Sequence, residues 1–193
     1  MEENYYWRFG KMSKLIKKPI IVPKGVEVHI EGVFVRVKGP KGEVSKVFHK
    51  DAIIEYNKEK NEIWVRKKSD DKFHKALAGT VYRIISNMVN GVVNPYKKEL
   101  VVQGTGYRVR AEGKKLVFQV GYSHQVEYEV PDGVTFKVEG QNKIILESPD
   151  KEKVGLVAAQ IVSIKPPDIY KGKGIWYADI PLKLKPGKAA AKK

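Results

Sequence analysis

Residues 26–48 read VEVHIEGVFVRVKGPKGEVSKVF, and their apolar and polar residues alternate on both sides of Gly39-Pro40-Lys41-Gly42. Period-two alternation around a short Gly/Pro turn is the pattern of paired antiparallel strands. Residues 99–122, ELVVQGTGYRVRAEGKKLVFQVGY, repeat it around Glu112-Gly113-Lys114. Each stretch leads into further strand-like sequence. IIEYNKEKNEIWVRKK turns at residues 57–61, and VEYEVPDGVTFKVEGQNKIILES turns at Pro131-Asp132-Gly133 and again at 140–142. Asp-Gly and Asn-rich tetrads form turns because they tolerate positive φ.

Each half then changes period. Phe73, Ala76, Leu77, Val81, Ile84, Ile85 and Met88 recur at three-and-four spacing, with Ser69 or Asp70 as N-cap and Asn90-Gly91 as stop. In the second half, Val154, Val157, Ala158, Ile161 and Ile164 follow Asp150, and Pro166-Pro167 ends the helix. The expected fold class is α+β: two tandem similar domains, each an antiparallel sheet covered on one face by an amphipathic helix. The boundaries read as an N-terminal extension and basic arm over 1–18, a first repeat over 19–96, a second over 97–170, and a basic tail over 171–193. A length of 193 residues accommodates two small cores. No apolar run approaches the roughly 20 residues that span a bilayer, and solubility is expected. MEENYYWRFGK lacks the apolar core of a secretion signal. With no cysteine there are no disulfides or thiolate metal sites, which is compatible with a reducing cytoplasm.

The net charge of +15 is unevenly spread. Residues 11–25 hold Lys11, Lys14, Lys17, Lys18 and Lys24 with no acid, and residues 165–193 hold eight lysines against Asp168 and Asp179. Basic ends on a nearly neutral body attract a polyanion, because each neutralised phosphate releases a condensed counterion. A solubilising flank is the competing reading.

Candidates for catalysis are poor. Gly121-Tyr122-Ser123-His124-Gln125 starts like a nucleophile elbow but ends in glutamine, and no helix follows. His29, His49 and His74 lack metal-ligand spacing, so no metal or cofactor is expected. Gly104-Thr105-Gly106 meets Val109 where a dinucleotide fingerprint needs glycine. What remains is YKGKGIWY, residues 170–177. Glycines flanking Lys173 would let main-chain N–H groups and ammonium approach the same phosphates. Tyr170, Trp176 and Tyr177 offer flat faces for stacking on a base or ribose. Nucleic-acid binding is the favoured function from pattern alone.

Several segments resemble the bacterial-type family of large-subunit ribosomal protein six. They are Lys17-Lys18-Pro19-Ile20, Val22-Pro23, Gly25-Val26, residues 37–42, Ala78-Gly79-Thr80, residues 87–92, Gly106-Tyr107-Arg108, residues 121–124 and residues 170–175. The resemblance implies the tandem fold and a non-catalytic role in the cytoplasmic ribosome. The protein would bind large-subunit rRNA directly, near the stalk base and the docking region of translation GTPases, with transient proximity to them. Neighbouring large-subunit proteins would be partners; a membrane or small-molecule substrate would not. The implied RNA contacts are Tyr170, Lys171, Gly172, Lys173 and Gly174, with Lys183 and Lys185 continuing the basic track; Lys165, Trp176 and Tyr177 complete the candidate set. Ser123 and His124 would form an RNA-facing loop. Trp176 stands where the family usually has arginine, so stacking replaces a charge-assisted contact. Gln125 replaces the proline that commonly follows Ser-His, leaving φ less constrained. Two rival readings are a general nucleic-acid module outside the ribosome and a hydrolase using Ser123 and His124. Residues 1–11 precede the usual family start at Met12-Ser13. A chain beginning at Met12 is therefore expected to bind rRNA as tightly as the full chain, as a side-by-side binding titration would show.

Overall fold

The computed structural model describes residue 16 and residues 18–187. Lys11, Lys14 and Lys17 of the basic arm, residues 1–11, Met12-Ser13, and Lys188, Lys192 and Lys193 lie outside the described residues. The chain divides into two compact units between Pro95 and Tyr96. No helix among the described residues is long and apolar enough to cross a membrane.

In the first unit the strands are β1 (Ile20–Ile21), β2 (Glu27–Glu31), β3 (Phe34–Gly39), β4 (Gly42–Val47), β5 (Ile53–Asn57) and β6 (Glu62–Arg66), followed by α1 (Lys72–Gly91). They form two antiparallel sheets, β2-β3-β4 and β1-β6-β5. Val35 and Val37 of one sheet and Ile63 and Val65 of the other share a core with Ala78, Val81, Ile85 and Met88 of α1. The helix is amphipathic because 78, 81, 85 and 88 fall on one face. Its N-cap is Asp71, one residue after Asp70 and two after Ser69, and it makes no side-chain cap bond, because Ser69 Oγ donates to the Asp71 carboxylate at 2.6 Å.

The second unit contains β7 (Tyr96–Gln103), β8 (Arg108–Glu112), β9 (Lys115–Gln119), β10 (Val126–Glu129), β11 (Thr135–Glu139), β12 (Lys143–Ser148), α2 (Lys151–Ile164) and β13 (Gly174–Tyr177). Its sheets run β10-β9-β8 and β11-β12-β7-β13. Leu100, Phe118, Ile144, Leu146, Val157, Ile161 and Ile175 are fully buried in one core. Asp150 caps α2, its carboxylate accepting the Glu152 N–H at 2.9 Å.

The duplication is present, with its register shifted by one strand from the sequence reading. By strand order, β2-β3-β4 corresponds to β8-β9-β10, and β1, β6 and β5 correspond to β7, β12 and β11. The β8–β9 turn at Gly113 therefore matches the β2–β3 turn at Gly32, and both glycines adopt φ +60. Gly39-Pro40-Lys41-Gly42 instead matches the loop at 120–125. The shift arises because β1 has two residues, too few to show alternation, whereas its counterpart β7 has eight. Pro131-Asp132-Gly133 is also not a hairpin turn. Val130 and Val134 on either side are both buried, so the chain crosses there from one sheet to the other.

At the end of β3 the turn packs against the end of α1. Lys41 N–H donates to Val92 O at 3.0 Å, and a Cβ at Gly39 would lie 2.8 Å from Val92 Cβ and O. Backbone on both sides makes relief expensive. Gly39→Ala is expected to lower the unfolding free energy by about 1–3 kcal/mol; an unchanged urea midpoint would contradict this.

Candidate nucleic-acid interface

All the candidate residues fall in the second unit, where α2 ends and the chain turns back to add β13. Asp168 organises that return. Its carboxylate accepts the N–H of Tyr170 at 3.3 Å and of Lys171 at 2.7 Å, its carbonyl accepts Gly172 N–H at 3.0 Å, and its own N–H donates to Lys173 O at 2.9 Å. An aspartate accepting backbone N–H groups two and three residues on is an Asx-turn. The main-chain N–H groups of residues 170–172 are therefore used within the loop, so of the glycines flanking Lys173, Gly172 does not offer its N–H to a phosphate. The glycines have a steric role instead. Gly172 sits at φ +67 under Leu182 and Leu184, and a Cβ at Gly174 would lie 2.6 Å from Pro167 Cα.

The segment read as a tail from 171 contains a strand of the sheet. Gly174–Tyr177 pairs with Leu100–Gln103 of β7, and Ile175 N–H donates to Lys165 O at 2.8 Å on the other edge. Residues 178–185 then fold back: Ala178 N–H bonds Glu99 O, Asp179 pairs with Lys98 at 2.8 Å, and Lys185 N–H bonds Ile169 O at 2.8 Å. Leu182 and Leu184 rest on the Gly172 loop, and Lys183 and Lys185 alternate with them into solvent.

The three aromatics separate. Tyr170 is exposed on the loop. Neighbours in a strand face opposite ways: Tyr177 packs at the margin of the core with Lys98 Nζ 5.4 Å from its ring, and half-buried Trp176 lies on the outer face, in register with Val101.

Two further loops join this end. Lys173 Nζ lies 3.5 Å from Thr105 Oγ1 in the β7–β8 turn. Tyr107 of the same turn is wedged between two glycines, since a Cβ at Gly104 would lie 2.5 Å from its ring and one at Gly121 3.1 Å away. Tyr122 OH donates to Ile164 O at 2.9 Å, and Lys165 Nζ sits 4.5 Å from the Tyr122 ring centre. Ser123 and His124, both exposed, lie in this β9–β10 loop and make no hydrogen bond to each other, so no imidazole activates the hydroxyl. Sequence reasoning met Thr105 in a rejected glycine motif and Tyr107 and Tyr122 in family-like segments but assigned none of them to the site; the neighbouring glycines were the available signal.

Charge pairing is uneven within the unit, and Arg108 and Arg110 of β8 and Lys151 and Lys153 of α2 have no ion pair among the described residues. Lys97, Lys98, Lys114, Lys115, Lys137 and Lys143 each meet a carboxylate. Hydrogen bonds donated to Glu147, Glu127 and Glu99 hold Lys97, Lys115 and Lys143 above the usual lysine pKa. The hydrogen bond from Lys98 pushes Asp179 below the usual carboxylate range. That pair's contribution is present above the ordinary aspartate pKa and is lost as pH falls through the lowered one. By contrast, none of Lys165, Lys171, Lys173, Lys183 and Lys185 is ion-paired among the described residues. Five uncompensated ammonium groups at one end can neutralise phosphates without first breaking a salt bridge. No group of three or more His, Asp or Glu among the described residues suits a metal.

Comparison with known proteins gives a family match. The model of the family described as ribosomal protein L6 matches residues 22–94 and 103–178. The chain is 49% identical over 178 residues to the large ribosomal subunit protein uL6 of Caldicellulosiruptor saccharolyticus, covering 92% of this chain and 97% of that one. It is 48% identical over 181 residues to the protein of the same name from Carboxydothermus hydrogenoformans, covering 94% and 98%. With that of Thermotoga maritima the identity is 46% over 186 residues, covering 93% and 100%.

If Asp168 holds the loop, Asp168→Ala should speed amide hydrogen exchange at Tyr170 and Lys171 by about tenfold, corresponding to the ~1.5 kcal/mol of a charge-assisted hydrogen bond. Asp168→Asn, which keeps an acceptor, should change it much less. Equal exchange in all three chains would contradict this.

Proposed function

Ribosomal protein L6 is the family to which this chain belongs, and on that premise we propose that it binds large-subunit rRNA directly through the lysine-rich end of its second unit. The chain is a structural, non-enzymatic constituent of the large ribosomal subunit and acts in translation in the cytoplasm. The observation that carries the rRNA reading is the split in lysine pairing. The strand lysines are matched by glutamate and aspartate, while Lys165, Lys171, Lys173, Lys183 and Lys185 are left for an external anion.

On this reading the loop acts as a preformed scaffold. Asp168 fixes the backbone, the leucines of the returning segment cover it, and the lysines project for phosphate contact. Tyr170 adds a stacking face for an unpaired base. Trp176 and Tyr177 support from behind: Tyr177 anchors β13 at the core margin, and Trp176 lies across from Val101. Folded RNA is recognised largely by shape and backbone, which suits a rigid charged end. Placement near the stalk base and the docking region of translation GTPases, beside neighbouring large-subunit proteins, belongs to the same proposal and is supported by the family likeness.

The test is a salt series of binding to a large-subunit rRNA fragment, with an unrelated structured RNA as control. Lys171→Ala combined with Lys173→Ala should weaken binding and lower the salt slope by about 2, roughly one per phosphate contact, with the melting transition unchanged. Equal binding of both RNAs by the parent chain would make it a general basic binder. An unaltered slope in the variant would remove the loop from the interface.

A further inference from the structure

We infer that Tyr122 is a positioning residue of the RNA-binding end, holding the Lys165 ammonium where it meets a phosphate. The inference rests on the proposed function above and adds to it a residue without formal charge.

The geometry places Tyr122 at a junction. Its hydroxyl is fixed to the last carbonyl of α2, Ile164 O, at 2.9 Å, and its ring carries Lys165 Nζ at 4.5 Å from the centre. Lys165 directly follows the helix, with non-helical φ −146 and ψ 85, and its carbonyl is engaged by Ile175 N–H. Its backbone is thus set by the β13 return, while its long side chain has the Tyr122 ring as a resting surface. A free lysine chain samples many rotamers, and fixing it costs up to ~2 kcal/mol. An ammonium resting on a ring gives up part of that freedom before RNA arrives and keeps N–H groups available on the side away from the ring. No carboxylate among the described residues competes for it.

The ring itself is held from below. Gly121, at φ +77, lets the loop approach Tyr107, whose hydroxyl would lie 3.1 Å from a Cβ placed there. His124 lies near-parallel to Tyr122, with ring centres 6.3 Å apart and planes at 17°. The loop therefore bears on its own turn, on α2 and on the β7–β8 turn, while 43% of Tyr122 remains exposed. An exposed tyrosine with a fixed hydroxyl and a cation on its face orients its partner more than it fills a core.

A double-mutant cycle in the full chain tests this, titrating the same rRNA fragment across a salt series. Tyr122→Ala and Lys165→Ala should each weaken binding roughly threefold to tenfold and lower the salt slope by about 1. The double variant should bind no more weakly than Lys165→Ala, because Tyr122 acts through that ammonium. Tyr122→Phe, which keeps the ring face, should retain the parent slope. If Tyr122→Ala loses its melting transition, Tyr122→Leu takes its place in the cycle, keeping apolar bulk without a π face. Additive losses in the double variant, or parent-like binding by Tyr122→Ala, overturn the inference. The Lys171→Ala, Lys173→Ala chain in the same titration separates the two failures. Weak binding there beside parent-like Tyr122→Ala ends only the positioning role, whereas parent-like binding by both ends the proposed site.

Discussion

Gly174 passes so close to Pro166 and Pro167 that a Cβ there would lie 2.6 Å from one backbone carbon and 2.7 Å from a carbonyl oxygen. That contact lets the chain leaving α2 reverse within a few residues and lay β13 alongside β7. Once β13 is in place, Ile175 enters the core, Lys165 gains a fixed backbone through its carbonyl, and the Asp168 loop closes between them. The returning segment to Lys185 then has a surface to fold on. A side chain at 174 would strain the start of this sequence and loosen each later step.

The charges follow the same architecture. On a sheet, long side chains of opposite sign on adjacent strands meet across the register, as Lys97 meets Glu147 and Lys143 meets Glu99. Loops offer no such register, and the acids near this end are already occupied: Asp168 by backbone N–H groups and Asp179 by Lys98. Lysines on the loops at this end stay uncompensated because the acids near them are occupied, whereas Lys114 in the β8–β9 turn meets Asp132. The count of 37 lysines and arginines is therefore a poor guide to binding by itself, since many of them are compensated at short range by the 22 acids. The useful quantity is which cations have no carboxylate beside them.

Most of the fold was legible in the sequence because period-two and three-and-four patterns are imposed by burial of one face. Val35 and Val37, or Val157 and Ile161, announce their elements through spacing alone. The strand correspondence between the repeats was not legible, because Ile20–Ile21 is too short to carry a period. Nor was the crossing at Pro131-Asp132-Gly133, where a turn between sheets has the composition of a turn within one. In the candidate site, the lysines and glycines were visible as residue types. The use of N–H groups by Asp168 and the docking of Leu182 and Leu184 depend on contacts between segments, which composition does not encode. Tyr107 and Tyr122 were visible within family-like segments but were not assigned to the site, because an aromatic beside a glycine signals close approach without naming its partner.

The two repeats join the corresponding turn to the end of their helix by different means. In the first, the Lys41 main-chain N–H reaches Val92 O; in the second, the Tyr122 side-chain hydroxyl reaches Ile164 O. A main-chain joint persists whatever non-proline residue occupies position 41, whereas a side-chain joint changes with a single substitution at 122. Mutational robustness is thus divided unequally between two halves of similar topology. The first copy is buffered in this respect, and the second is the one whose surface point mutation can retune without disturbing the shared framework.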